Sequence, residues 1–107
     1  MSTSLDFIEF VIDQIDTNWN KRYLKMFGEY MVYINNKPIL LVCDNTVYVK
    51  QLDCVEKIIP PDSKGIPYKG AKEHFIIDIE DRILLNQVIN ELEKVIKVPV
   101  KKTKKSG

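Results

Sequence analysis

The side chains best suited to chemistry gather late in the chain. The run Gly65-Ile66-Pro67-Tyr68-Lys69-Gly70-Ala71-Lys72-Glu73-His74 brings together two glycines, a tyrosine, lysines and the single histidine of the sequence. Backbone N–H groups freed at Gly65 and Gly70, with Lys72 as counter-charge, would suit an anion or a small ligand. The GxxxxGK[ST] order of a phosphate-binding loop is absent. The stretch reads first as a structural loop that turns the chain from the short helix into the last strand. His74 has no Cys or Ser partner near it in sequence, so it reads as a structural hydrogen-bonder before a base. Cys43 and Cys54 stand outside any CxxC spacing and read as small buried hydrophobes. No HExxH, GxSxG, GxGxxG or EF-hand pattern occurs. Acidic residues fall at helix starts and on polar faces, which already accounts for them. The sequence therefore implies no metal, no organic cofactor and no enzyme.

Charge is more informative in its distribution than in its total of +1. Asp6, Glu9, Asp13 and Asp16 make the first twenty residues acidic, whereas Lys97, Lys101, Lys102, Lys104 and Lys105 follow one another without an acid. Such an end could grip phosphates weakly and without sequence preference. It reads first as a flexible, solubilising basic tail over residues 101–107, because lysine without Arg or interleaved aromatics is a weak nucleic-acid signal.

These side chains need a frame, and the middle of the chain supplies it. Three short runs, Tyr30–Ile34, Ile39–Cys43 and Thr46–Lys50, are rich in β-branched and aromatic residues and are separated by Asn35-Asn36 and Asp44-Asn45. Both dipeptides tolerate positive φ, which two-residue type I′ hairpin loops require. The middle run, Ile39-Leu40-Leu41-Val42-Cys43, lacks polar alternation, as a strand buried on both faces does. Pro38 cannot donate to a ladder and belongs at the start of that strand.

Two amphipathic helices provide cover. Leu5, Ile8, Val11, Ile12 and Ile15 form one stripe, with Thr3, Ser2 or Ser4 as its cap. Leu84, Leu85, Val88, Ile89, Leu92, Val95 and Ile96 form the other, with acids at its start and Lys94, Lys97 and Pro99 at its end. A short helical turn spans Leu52–Ile58, and His74–Ile79 suits one more strand, with Pro67-Tyr68 as a brief extended piece before it. The predicted fold is α+β in the order α-β3-α-β2-α, an antiparallel meander with the helices on one face.

A chain of 107 residues and 12.5 kDa buries enough surface for one core, here residues 1–100. No apolar run approaches the ~20 residues of a membrane span, and the acidic start is not a signal sequence. A cytoplasmic protein with no membrane contact is expected.

The pattern Met26-Phe27-Gly28, Tyr33, Asn35-Asn36, the apolar strand through Val42, Asp44-Asn45 and Tyr48-x-Lys50 resembles the N-terminal domain of TfoX/Sxy-type competence regulators. The later Gly65-x-Pro67-Tyr68-x-Gly70-Ala71-Lys72-x-His74-Phe75 and Asp78-x-Glu80-Asp81 are similar to short, standalone members. Those also tend to end like Val98-Pro99-Val100-Lys101-Lys102. The likeness runs from about Lys21 to Lys102, with Glu29 where a second glycine is common and Asn36 where the first turn often has Gly. Met26-Phe27 before Gly28 reads as core followed by a backbone bend. The resemblance implies a fold like that of secretion chaperones. It also implies regulation of natural competence through contact with a cyclic-AMP receptor-type transcription activator. It brings no catalytic residues.

Two functions of different class follow. One is a regulatory protein-interaction module whose partner is another protein, a homodimer remaining open. The other is a small-ligand or nucleic-acid binder that uses the Gly65–His74 loop and the lysine tail.

Overall fold

The structure, a computed structural model, describes residues 3–26 and 29–99. The chain runs α1 (Leu5–Gln14), β1 (Lys21–Met26), β2 (Glu29–Ile34), β3 (Lys37–Cys43), β4 (Thr46–Val49), α2 (Asp53–Glu56), β5 (Lys64–Gly65), β6 (His74–Ile77) and α3 (Arg82–Val95). The strands form one antiparallel sheet in the order β1-β2-β3-β4-β6-β5. The fold is α+β.

Hairpin chemistry sets the central register. Asn35 and Asn36 have φ of 52° and 67°, and Asp44 and Asn45 have φ of 50° and 54°. These loops pair Ile34 with Lys37 and Cys43 with Thr46, as two-residue I′ turns demand. A bulge between Val32 and Tyr33 shifts the β2–β3 register so that Tyr33 faces Pro38, and it accommodates a proline one residue inside its strand.

The order departs from expectation by one strand, since β1 precedes the meander. Its sequence, Lys-Arg-Tyr-Leu-Lys-Met, carries three cations and no apolar alternation, and only its full pairing with β2 makes it a strand. The brief extended piece also moves, from Pro67-Tyr68 to Lys64-Gly65. There the Ser63 carbonyl accepts from Ile76 N at 2.7 Å, and a Cβ on Gly65 would come within 2.9 Å of Ile76 Cδ1. Glycine lets the backbone lie this close, and Pro67 could not donate.

Each long helix has a side-chain cap. Ser4 Oγ accepts from Phe7 N, and Asp81 accepts from Leu84 N. Thr3 is not the cap: it is buried, and its Oγ1 donates to Glu29 Oε1 at 2.8 Å and accepts from Asn45 N at 3.2 Å. Lys97 lies beyond the end of α3 rather than in its last turn.

The core lies between the helices and one face of the sheet. Ile8 and Val11 of α1, Val55 of α2, and Leu85, Val88, Ile89 and Leu92 of α3 cluster with Val32, Leu40, Val42, Val47, Val49, Phe75 and Ile77. Asn86 ties the two long helices together. Its Oδ1 accepts from Asp16 N, and its Nδ2 donates to the carbonyls of Gln14 and Arg82. Lys37 Nζ bonds the carbonyl of Glu93 at 2.6 Å and its carboxylate at 2.9 Å, fastening the first hairpin to α3. No helix among the described residues is long and apolar enough to cross a membrane. The lysine tail, with Phe27 and Gly28 of the family motif, lies outside the described residues.

Candidate functional site on the helix-free sheet face

Strand alternation sends every second side chain away from the helices. Across β1 to β4, the paired residues Leu24 and Met31, Met26 and Glu29, Met31 and Leu41, and Leu41 and Tyr48 therefore share the other face. Cys43, two residues beyond Leu41, joins them, as does Ile76 opposite Tyr48. This face mixes apolar side chains with polar ones and is only partly covered. Leu24 is 45% and Met26 38% exposed, and Met31, Leu41 and Ile76 are half-buried.

A cleft of about 510 Å³ opens here, lined by Met26, Glu29, Tyr30, Met31, Leu41, Cys43 and Tyr68. Tyr68 reaches it from the loop between β5 and β6 and is 58% exposed. Methionines and a tyrosine are adaptable, low-cost contact residues. The polar members are committed. Glu29 Oε1 accepts from Thr3 Oγ1 and from Asp44 N, holding the N-terminus and the second turn in place. Burial pushes the Cys43 thiol up to about 11, with the charges of Glu29 and Asp44 adding to it. A thiol so resistant to ionisation is a poor nucleophile and a poor metal ligand. This arrangement can bind an apolar surface.

The loop singled out from sequence does not form one site. Gly65 lies in β5 beneath Ile76, Pro67 is buried, and Gly70 takes φ of 89° with open space around it. Tyr68 joins the apolar cleft. Lys72 and His74 line a different hollow of about 550 Å³ with Lys50, Gln51, Leu52 and Glu73. His74 Nδ1 lies 2.8 Å from the Lys72 carbonyl, which accepts its proton, and the ring stands edge-on to Tyr48 at 6.4 Å and 87°. Gln51 Nε2 donates to Glu73 across this hollow. A small hollow lined by Met31, Leu41, Tyr48, Lys50 and His74 shares residues with both clefts.

Met26 is not core, as the motif had suggested, because β1 is an edge strand and its last side chain meets solvent. Among the described residues no three of His, Cys, Asp and Glu are placed to hold a metal ion. The cleft joins residues from β1, β2 and β3 with one loop side chain. Its signal in the sequence was the unbroken apolar run of β3, which marks a second face that needs cover.

Among known proteins, an "uncharacterized 12.7 kDa protein in trpE 5′ region" of Spirochaeta aurantia is 33% identical over 78 residues, covering 73% of this chain and 68% of that protein. The chain belongs to its family. No protein-family model matches the chain. No solved structure matches it.

Proposed function

We propose that this family member is a non-enzymatic, regulatory interaction module that docks a partner protein on the helix-free face of its sheet. The observation that carries this reading is the partly exposed apolar strip formed by Leu24, Met26, Met31 and Leu41 beside Tyr68. An apolar sheet face left open to water is costly to maintain in a monomer and is typical of an interaction surface. The resemblance to competence-regulator N-terminal domains adds a partner class, a transcription activator, and the chaperone-like layering of helices against one face of a meander. Capture from the native organism tests the reading. Wild-type protein and Leu41→Lys, both confirmed folded by circular dichroism, serve as bait. Loss of the same interactors from Leu41→Lys is expected; identical recovery by both baits would refute face docking.

A second reading rests on the hollow where Lys50, Lys72 and His74 meet, whose charge suits a phosphate-bearing ligand or nucleic acid. A salt titration against generic DNA separates the two, because phosphate binding must weaken steeply with salt. Salt-independent absence of DNA binding leaves the protein partner alone.

A further inference from the structure

The sheet ends at β1, and that edge differs from the opposite one. Beyond β6 the two-residue β5 covers part of the margin. Beyond β1 no described element pairs, and the strand runs six residues without a bulge against β2. In an antiparallel ladder alternate residues direct their N–H and C=O away from the neighbour, so half of β1 presents unpaired backbone outward.

The side chains along this edge have a definite chemistry. Arg22, Leu24 and Met26 lie on the helix-free face, and Lys21, Tyr23 and Lys25 on the other. Lys21 is occupied, donating to the carbonyls of Ile15 and Asp16. Arg22 lies 4.4 Å over the ring of Tyr33 and its Nε donates to Asn36 Oδ1 at 3.4 Å, which together hold its guanidinium in place, yet it remains exposed. Lys25 is exposed and forms no salt bridge among the described residues. Glu29, the acid opposite Met26, is bonded to Thr3 and Asp44. The edge therefore offers two exposed cations without acidic partners among the described residues, interleaved with the exposed Leu24 and Met26, and Met26 continues into the cleft.

Cationic edge strands discourage pairing with a second copy of the same chain. Here the reason is specific: antiparallel self-pairing centred on Tyr23 would set Lys21 against Lys25, and like charges directly opposite are destabilising. A strand with acids opposite the cations of β1 meets no such penalty. We infer that β1 accepts an acidic, alternating segment of a partner protein as a seventh, antiparallel strand. Its carboxylates would oppose Arg22 and Lys25, and its apolar side chains would oppose Leu24 and Met26. This rests on the docking reading above and adds to it the chemistry of the partner.

The probe is a blocked synthetic peptide, Val-Glu-Val-Thr-Glu-Thr, which in antiparallel register sets glutamates opposite Lys25 and Arg22. Its control has lysine for each glutamate. Amide hydrogen exchange of full-length protein is followed by NMR as each peptide is added up to a concentration on the order of 1 mM. The acidic peptide is expected to slow exchange at alternate β1 amides at least about tenfold at saturation, and the lysine peptide to leave them unchanged. Arg22→Glu together with Lys25→Glu should exchange the two preferences, and the peptide swap on wild-type protein decides the matter even if that variant misfolds. Unchanged β1 amides, protection confined to the Lys50–His74 hollow, or equal binding of both peptides would overturn the inference. The capture comparison on Leu41→Lys reads the sheet face separately. Loss of interactors there, with no peptide effect at β1, would remove the edge strand and leave face docking standing.

Discussion

Leu40 and Leu41 are chain neighbours of the same type on opposite faces of one strand, and they live in different environments. Leu40 meets Val32 beneath the helices and is fully buried, whereas Leu41 meets Met31 and Tyr48 at the edge of an open cleft. The contrast extends across the sheet. Val32, Val42, Val47 and Val49 are sealed by α1 and α3, while Leu24, Met26 and Tyr68 remain wet. One face is finished by the fold; the other sets apolar side chains among polar ones with only part of the cover. An apolar strip that folding leaves partly open is the physical basis of the proposed binding role.

The largest expected effect lies on the sealed face. Leu40→Ala should lose about 2–5 kcal/mol in chemical denaturation, because no solvent can fill the void it leaves. The same truncation next door, Leu41→Ala, should cost about 1 kcal/mol. Equal losses would erase the distinction between the faces.

Cys43 sharpens the comparison, since it sits on the open face yet is itself buried. Its thiol ionises near 9.0 when unfolded but is raised to about 11 in the fold. Unfolding between those values releases a proton, so stability should be intact below pH 9.0 and fall toward pH 11. The loss is on the order of 2 kcal/mol. Denaturation of wild type and Cys43→Ala across this range checks it, and parallel curves would mean that the thiol is not held protonated.

A smaller effect is expected at the join between hairpin and helix. The hydrogen bond from Lys37, then that from Asn35, holds the Glu93 carboxyl below its ordinary value of 4.5. The stability this supplies is present above pH 4.5 and is lost as pH falls through the depressed value. Glu93→Gln should be less sensitive to acid than wild type in thermal melts, and the Leu41→Lys variant should keep the wild-type acid profile.

How far the sequence disclosed this molecule follows from the range of its signals. Asn35-Asn36 and Asp44-Asn45 encode their turns locally, through tolerance of positive φ, and both long helices announce themselves by stripe and cap. The strand β1 was silent because its charged, unalternating residues become a strand only through pairing with β2. Thr3 passed for a cap because its partners, Glu29 and Asn45, are distant in sequence. The loop singled out from sequence is divided for the same reason. Gly65 to His74 look like one motif in sequence, yet Tyr68 turns to the apolar cleft and Lys72 and His74 to another hollow. The cleft is built from strands that no short window contains, and only the unbroken run Ile39–Cys43 hinted at its second apolar face.

The most direct test places a lysine on each side of the molecule. Leu41→Lys alters the open sheet face, and Ile83→Lys alters the exposed outer side of α3, where Ile83 is 77% exposed. Both variants and wild type are used to capture interactors from the native organism, with quantification by mass spectrometry. Proteins enriched by wild type should be lost from Leu41→Lys and retained by Ile83→Lys. Retention by Leu41→Lys with loss from Ile83→Lys would move the binding surface to the helical side and contradict the account.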